Sequence, residues 1–216
     1  IQNRIRNAKV VAVCDVFEEG AKKGAEIAGA GTKVYTDFNE AINDPDVNAV
    51  VVTTPGQFHK GPVLAAIKAG KPVFSEKPLA NTAADGKEIV EAEMAGGKHL
   101  VQVGFMRRYD HSYQVAKKKM ENGDIGDVIL VRCYSQDPIS IIEGTLEYAP
   151  RSGGQFIDMS IHDFDLIRWL TGSEVKELWA TGGCYEFKQY KEWDDGGNVS
   201  GLMKMENDAM AFFFAG

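Results

Sequence analysis

The sequence predicts an α/β protein in two parts: a doubly wound domain built on a parallel sheet, then an α+β domain with a mostly antiparallel open sheet. Between Lys9 and about Val101, short β-branched runs alternate with longer amphipathic stretches, which is the pattern of βαβ units. After Gly104 this alternation stops, and strand-like segments follow one another without helices between them. We therefore predict one domain over residues 1–104 and a second over residues 105–216.

In the first domain, strands and helices alternate along the chain. The predicted strands cover residues 10–14, 34–35, 49–53, 73–75 and 100–103. The predicted helices cover residues 18–28, 38–42, 59–69 and 83–95, and glycines follow the last two, as they commonly follow helix ends. Each crossover is long enough for a helix, so the strands are expected to be parallel.

The second domain has a different order of elements. A helix over residues 112–122 and a strand over 128–134 are followed by a stretch interpreted as irregular as far as Gly154. A second helix is predicted over residues 158–170, and strands over 175–180, 199–205 and 209–214. The glycine- and aspartate-rich turns between these last segments predict antiparallel pairing.

Composition and charge exclude several kinds of partner. The 216 residues carry a formal net charge of −7 and no basic stripe, so no nucleic acid is expected. No apolar stretch approaches the roughly 20 residues that a membrane span needs. The three cysteines, Cys14, Cys133 and Cys184, are far apart and lack C-x-x-C spacing, which predicts neither a disulfide framework nor a zinc site and favours the cytoplasm.

The parallel domain is of the Rossmann type, but its usual opening is missing. That opening is a strand followed by a G-x-G-x-x-G turn whose amides meet a pyrophosphate. Gly29 and Gly31 do not supply it, because they follow a helix and precede a strand. The last strand-like segment also runs to the end of the chain, so we expect the protein to continue beyond both ends of this sequence.

Asp15 is the residue that points to the cofactor. It follows the apolar strand at residues 10–14, where an acid accepts hydrogen bonds from the adenine-ribose hydroxyls and repels a 2′-phosphate. This position favours NAD over NADP. The alternative is that Asp15 only begins the turn after the strand.

Lys77 lies in Ser75-Glu76-Lys77-Pro78, at the carboxyl end of a predicted parallel strand, which is where open α/β sheets bind ligands. An ammonium group there can orient a substrate hydroxyl and stabilise the alkoxide that develops as hydride leaves. The alternative is a surface lysine whose alkyl chain lies along apolar neighbours.

A second group of candidate residues lies on the predicted helix that begins near Asp158. Asp158, His162 and Asp165 stand at i, i+4 and i+7, which places them on one helical face. A carboxylate one turn from a histidine suits a general base that works near neutral pH. The alternatives are a helix cap, an ordinary histidine, solvated acids, or a divalent metal site, for which the chain supplies no obvious further ligand.

The chain resembles the Gfo/Idh/MocA family of NAD(P)-dependent oxidoreductases, which includes glucose-fructose oxidoreductase and inositol dehydrogenase. The resemblance spans essentially the whole sequence, and it rests on the order and spacing of several short motifs. These motifs are Val13-Cys14-Asp15, Thr54-Pro55 with His59, Ala69 to Val73, Glu76 to Ala80, Gly104 to Asp110, Gly123 to Gly126, and the glycine pair leading to Asp158, His162 and Asp165.

The resemblance implies a role for each matching residue. Lys77 and His162 would act at the substrate carbinol, with Asp158 assisting proton transfer. The cofactor would be lined by Asp15, Thr54, Pro55, His59, Glu76, Lys77, Met106 and Arg107. The substrate would meet Lys77, Arg107, Asp158, His162 and Asp165. Family members often carry Asn where this chain has Gly56, which puts one polar contact near the cofactor in doubt.

The segment from Met106 to Asp110 most resembles the inositol dehydrogenase branch, which implies a cyclic polyol or sugar as substrate. The family's second domain also implies a homo-oligomer, a dimer or tetramer, formed through its sheet. Two other functions share this fold: an NAD-dependent glycosidase that regenerates its cofactor, and a non-catalytic sugar sensor. The presence of Lys77, Asp158 and His162 argues against the sensor.

Overall fold

The computed structural model describes residue 5 and residues 7–216. Within it the chain divides into two compact units, one that ends at Val103 and one from Gly104 to Gly216. None of the helices in these ranges is long and apolar enough to cross a membrane. The cysteines at 14, 133 and 184 are all free thiols.

The first unit is a βαβ structure, as predicted. Its strands are β1 (Ala12–Cys14), β2 (Lys33–Tyr35), β3 (Val50–Val52), β4 (Val73–Ser75) and β5 (Val101–Val103). Its helices are α1 (Glu18–Ala28), α2 (Phe38–Asn43), α3 (Lys60–Lys68) and α4 (Ala83–Ala95), with a 3-10 turn at Gly56–Phe58. All pairs are parallel, β1 with β2 in one sheet and β3-β4-β5 in another.

Apolar side chains from strands and helices form the core of this unit. Val52 and Val73 on adjacent strands pack with Val63 and Ala66 of α3 and Ile89 of α4, all of them buried. Burying a side chain such as Val or Ile stabilises the fold by about 1.5–3 kcal/mol. The helices therefore cover the β3-β4-β5 sheet because their apolar faces have no other place to be buried.

The second unit is an α+β structure. Its strands are β6 (Leu130–Ser135), β7 (Val175–Gly183), β8 (Asn198–Met205) and β9 (Met210–Ala215), in the order β6-β9-β8-β7. Its helices are α5 (His111–Glu121), α6 (Ile142–Ser152), α7 (Gln155–Asp158) and α8 (Ile161–Thr171). β8 pairs antiparallel with both β7 and β9, and β6 pairs parallel with β9, which confirms a mostly antiparallel sheet.

One face of this sheet is buried against α8. Phe213 is fully buried, and its ring meets Phe164 edge-on at 5.0 Å between ring centres. Leu166 and Ile167 of the same helix complete the cluster. The β6 pattern, in which buried and exposed residues alternate, shows that the opposite face is open among the described residues.

Two predictions for the second unit are wrong. The stretch before Gly154 is not irregular: a 3-10 turn at Ile139–Ile141 leads into α6, which contains Pro150 two residues before its end. The helix predicted from Asp158 is in fact two helices, α7 and α8, separated at Met159 and Ser160. Asp158 and His162 therefore do not share one continuous helix.

Candidate functional site

In the first unit, predicted site residues follow the carboxyl ends of two adjacent strands. β3 and β4 run parallel with Val52 opposite Ser75, and the amide of Glu76 donates to the carbonyl of Val52 at 2.9 Å. The chain segments that leave these strands, beginning at Thr54 and Glu76, therefore start at the same edge of the sheet. Thr54, Pro55 and Glu76 are exposed there, and Lys77 is half-buried.

The side chain of His59 connects the two chain segments at this edge of the sheet. Its side chain is 1% exposed, and its two ring nitrogens lie 2.6 Å from the carbonyl oxygens of Pro78 and Thr54. The ring thus joins the segment after β3 to the segment that carries Lys77. Both polar atoms of His59 are used inside the protein, so its role in cofactor binding remains a prediction that this geometry does not itself support.

Gly56 lies where two neighbours leave no room for a side chain. A Cβ at this position would be 2.8 Å from Oδ1 of Asn81 and 3.0 Å from Cδ of Pro78. Gly56 and Pro78 are buried, and Asn81 is half-buried. The side-chain amide of Asn81 therefore occupies the space beside Gly56. This is the position where members of the resembled family often carry Asn and where a polar contact near the cofactor is in doubt.

Asp15 lies at the end of β1 and is exposed. One carboxylate oxygen accepts the Phe17 amide at 2.9 Å, so the residue does begin a turn. The other oxygen lies 3.0 Å from where a Cβ of Gly20 would be, in the first turn of α1. The glycine keeps this oxygen uncovered at a helix start, which fits an acceptor for ribose hydroxyls.

In the second unit, Asp158 and His162 lie on either side of the joint between α7 and α8. Asp158 is the last residue of α7, and His162 is the second residue of α8. Both are half-buried. The amide of His162 donates to the carbonyl of Met159 at 3.3 Å, so the chain turns tightly between the two residues and keeps them near each other.

Arg107 is held by a carboxylate that the sequence interpretation did not select. Its guanidinium donates to Asp163, which is fully buried, and to the Ser135 hydroxyl at 2.7 Å. Ser135 in turn donates to Asp163 at 2.8 Å. A buried carboxylate needs such partners because desolvation is costly, so this part of Arg107 is committed to Asp163. Met106, beside it, is 65% exposed.

Asp165 also has an internal partner. Both of its carboxylate oxygens accept hydrogen bonds from Arg108, at 2.7 and 2.8 Å, and the residue is 5% exposed. Because these bonds occupy both oxygens, we do not include Asp165 among the substrate ligands proposed below. Helical spacing identified the acid but not the arginine, which lies 57 residues earlier in the chain.

A cavity of about 280 Å³ borders Asp158 within the second unit. Its walls come from α6, α7 and the segment between β7 and β8. Ile141, Ala149 and Met159 line part of it, and its hydrogen-bonding side chains belong to Asp137, Thr145, Tyr148, Ser152, Gln155, Asp158, Tyr190 and Asp195. Carboxylates, phenols and an amide around one small space suit a ligand with several hydroxyl groups.

Burial and nearby charge shift the pKa of two acidic groups in this cavity, the Asp195 carboxyl and the Tyr190 phenol. Burial raises the pKa of Asp195, and the nearby Asp158 carboxylate raises it further, while the amides of Gln155 and Gly196 act in the opposite direction. Burial also raises the pKa of the Tyr190 phenol. Tyr190 lies in a 3-10 turn at Lys188–Trp193 and Asp195 follows it, in a segment without a recognisable motif, so the sequence interpretation missed them.

No group of three or more His, Cys, Asp or Glu side chains in residues 7–216 is placed to hold a metal ion. The candidate site residues form two groups. The first unit has exposed strand ends with a lysine, and the second unit has Asp158 and His162 beside the cavity described above. A parallel nucleotide-binding sheet joined to such a domain is the architecture of two-domain oxidoreductases that use a dinucleotide.

Sequence comparison identifies the family. Residues 1–105 match the profile "Oxidoreductase family, NAD-binding Rossmann fold", and residues 113–216 match the "GFO/IDH/MocA C-terminal domain". The chain belongs to the Gfo/Idh/MocA family of oxidoreductases, and its first unit is the family's NAD-binding Rossmann domain.

Similar curated proteins are inositol 2-dehydrogenases. The one from Azotobacter vinelandii is 45% identical over 166 residues, which is 77% of this chain and 47% of that protein. The one from Acidothermus cellulolyticus is 44% identical over 179 residues, or 83% of this chain and 50% of that protein. The chain spans about half the length of these relatives.

Solved structures with the same fold carry related names. Myo-inositol 2-dehydrogenase from Lactobacillus plantarum has a TM-score of 0.91 and 34% identity, covering 100% of this chain and 64% of that one. Scyllo-inositol dehydrogenase from Lactobacillus casei, solved with NAD(H) and scyllo-inositol, has a TM-score of 0.90 and 34% identity, with 100% and 64% coverage.

Proposed function

We propose that this chain forms the catalytic core of an NAD-dependent dehydrogenase that oxidises a secondary alcohol of a cyclic polyol, with inositols as the leading substrates. The observation that carries the proposal is the cavity beside Asp158, with carboxylates, phenols and an amide among its lining side chains. Its volume of about 280 Å³ is at the small end of ligand pockets and suits one ring with several hydroxyl groups. The names of the similar proteins support the same substrate class.

The proposed chemistry uses three residues of this chain. His162 accepts the proton of the reacting hydroxyl, and Asp158, across the α7–α8 joint, assists that transfer. The Lys77 ammonium stabilises the negative charge that develops on the oxygen as the carbon–hydrogen bond breaks. NAD, when held by the first unit, would supply the hydride acceptor, and the reaction would then balance as alcohol and NAD giving ketone, NADH and one proton.

For the cofactor, we propose that the first unit holds NAD through its exposed strand-end residues. The uncovered oxygen of Asp15 would accept the adenine-ribose hydroxyls and repel a 2′-phosphate, which favours NAD over NADP. Thr54, Pro55 and Glu76 are exposed and available to line the same ligand. Met106 and Arg107 complete the proposed set near the nicotinamide and substrate.

We further propose a homo-oligomer, a dimer or tetramer, formed through the open face of the second sheet. Arg132, Phe212, Leu202 and Trp179 are register partners in one row across all four strands. Leu202 and Trp179 are 56% and 58% exposed. Three of the four side chains in this row are apolar, and neighbouring exposed apolar side chains mark surfaces that bind other proteins. The three free thiols favour a reducing cytoplasm as the site of action.

NADH formation tests the function directly. The protein would be incubated with NAD and, separately, with a panel of inositols and pyranoses, and NADH release would be followed optically. We expect release with at least one inositol. Tight NAD binding without any turnover would contradict the dehydrogenase and favour the sensor, and cleavage of a glycoside without net NADH would indicate the glycosidase.

A further inference from the structure

We propose that Asp195 is a positioning residue for Asp158: its carboxylate fixes the peptide group from which the helix carrying Asp158 begins. The inference rests on the function proposed above, because Asp158 matters only if it assists catalysis. Asp195 lies between β7 and β8, 37 residues after Asp158 along the chain, and both residues line the same cavity.

The carboxylate of Asp195 supplies the cap that α7 otherwise lacks. Gly154, at the N-cap of α7, has no side chain to accept a hydrogen bond from the helix. The amide of Gln155 instead donates to both oxygens of Asp195, at 3.0 and 3.2 Å. Amides at a helix start need an acceptor, and a carboxylate is a favourable one because it also complements the helix dipole.

Gly154 permits the approach of this carboxylate. Its φ of +87° is a left-handed conformation that side chains disfavour. A Cβ there would also lie 3.2 Å from one oxygen of Asp195 and 3.4 Å from the other. Conformation and space therefore both require glycine where Asp195 meets the backbone.

One peptide group connects Asp195 to Asp158. The peptide group between Gly154 and Gln155 donates its N–H to the Asp195 carboxylate. Its carbonyl oxygen accepts a hydrogen bond from the amide of Asp158 at 2.8 Å. Because a peptide group is planar, fixing its N–H fixes the direction of its carbonyl oxygen. The Asp195 carboxylate thus sets the backbone position of Asp158 through a single rigid plane.

Asp195 is itself held firmly enough to act this way. Its amide donates to the carbonyl of Tyr190 at 3.1 Å, and its carbonyl accepts the Cys184 thiol at 3.1 Å. The amide of Gly196 donates to its carboxylate at 2.8 Å. Tyr190 is 3% exposed, so the segment is anchored in the protein interior.

Substitutions at neighbouring aspartates test the inference. Asp195→Ala removes both acceptor oxygens, Asp195→Asn keeps one, and Asp194→Asn makes the same charge change at an exposed residue of the same segment. Asp194 has a left-handed φ of 52°, which asparagine tolerates, so this control should fold normally. Each variant would be assayed for kcat and KM with NAD and scyllo- or myo-inositol, for NAD affinity, and for hydrogen exchange at the Gln155 amide.

We expect Asp195→Ala to lower kcat/KM for the inositol about 100-fold and Asp195→Asn about 10-fold, since small displacements of reacting groups have effects of this size. NAD affinity should stay unchanged, and the Gln155 amide should exchange faster in both variants. Asp194→Asn should behave as the unaltered protein. The coupled change in exchange and turnover distinguishes positioning from a general loss of stability, which would speed exchange at other core amides equally.

Unaltered turnover and unaltered Gln155 exchange in the Asp195 variants would overturn the inference. Lost turnover with the Gln155 amide still protected would also overturn it, because Asp195 would then act by touching the substrate. If Asp195→Ala does not fold, Asp195→Asn decides by the same measurements. An unaltered protein that releases no NADH contradicts the proposed function instead, and Gln155 exchange in Asp195→Asn against Asp194→Asn then decides the inference alone.

Discussion

Arg108 and Asp165 form a two-pronged ion pair, with Nε 2.8 Å from Oδ2 and Nη2 2.7 Å from Oδ1. Asp165 is 5% exposed, and the guanidinium also lies 5.8 Å from the centre of the Trp169 ring. Removing one partner of such a pair leaves a buried charge uncompensated. We expect Arg108→Ala to lower the free energy of unfolding by about 3 kcal/mol, measured by urea denaturation.

Arg168 provides the matched control for that prediction. It makes the same two-pronged pair with Glu174, at 2.6 and 2.7 Å, but both side chains are about half exposed. Solvent screens this pair, so Arg168→Ala should lower the free energy of unfolding by about 0.5 kcal/mol. Equal losses in the two variants would show that burial of Asp165 does not matter.

His162→Ala tests the proposed base. A general base contributes about two to four orders of magnitude to turnover, and we expect kcat to fall by that factor. NAD affinity should stay nearly constant, because the proposed cofactor residues lie elsewhere in the chain. His111→Ala, at an exposed histidine, is the control. An unchanged rate in His162→Ala would remove this residue from the mechanism.

Lys77→Met tests the proposed stabilisation of the alkoxide. Methionine keeps an unbranched apolar chain but loses the ammonium group, so we expect kcat to fall by about 100- to 1000-fold. The comparison is Lys87→Met, whose ammonium pairs with Glu91 on the surface of α4 and which should leave kcat unchanged. Steady-state kinetics with NAD and an inositol measure both variants, and equal activity would place Lys77 outside the reaction.

His59→Leu separates support from ligand binding. Both ring nitrogens contact backbone carbonyls, so their loss should lower the free energy of unfolding by about 2 kcal/mol. Turnover should fall as well, because the Lys77 segment loses its attachment to the Thr54 segment. His99→Leu, at a fully exposed side chain, is the control. Weaker NAD binding with unchanged stability would instead make His59 a direct cofactor ligand.

The hydrogen-bonded carboxylate of Asp44 makes the free energy of unfolding depend on pH in the acid range. Its carboxylate accepts hydrogen bonds from Lys33, which has the larger effect, and from Tyr35, and these bonds lower the pKa of Asp44 to about 2. The unfolded chain binds this proton near pH 4, so the stabilisation is complete above about pH 4 and disappears as the pH falls to about 2. Asp44→Asn should therefore unfold at lower urea concentration than the unaltered protein at pH 7.

The difference between the two proteins should shrink as the pH falls through that interval, which a series of urea titrations would measure. Asp46→Asn removes an exposed partner of the same lysine and should show a much smaller effect. A gap between Asp44→Asn and the unaltered protein that stays constant down to pH 2 would contradict the assignment of this pKa.

Local patterns predicted the first unit well. The helices Glu18–Ala28 and Ala83–Ala95 begin and end at the predicted residues, because amphipathic spacing and following glycines mark them clearly. The helix Ile142–Ser152 was missed, because Gly144 and Pro150 interrupt its pattern while packing in the folded chain stabilises it.

The site was predicted only where its residues lie close together in sequence. Asp158 and His162 stand four positions apart and were selected as candidates by their spacing, although the helix break between them was not foreseen. Arg108 with Asp165, and Asp195 with the amide of Gln155, are joined across 57 and 40 residues. No local spacing encodes such pairs, because they depend on how the strands and helices pack.

The break at Met159 and Ser160 places Asp158 and His162, the proposed pair for proton transfer, on two separate helices. Were both on one straight helix, their spacing would be fixed by helical geometry and could change only by a whole residue step. With a two-residue joint between them, a substitution at the joint can rotate α7 against α8 by a few degrees while each helix keeps its own packing. Under the proposed function, directed variation at Met159 and Ser160 therefore offers a route to new alcohol preferences that leaves the side chains of Asp158 and His162 intact.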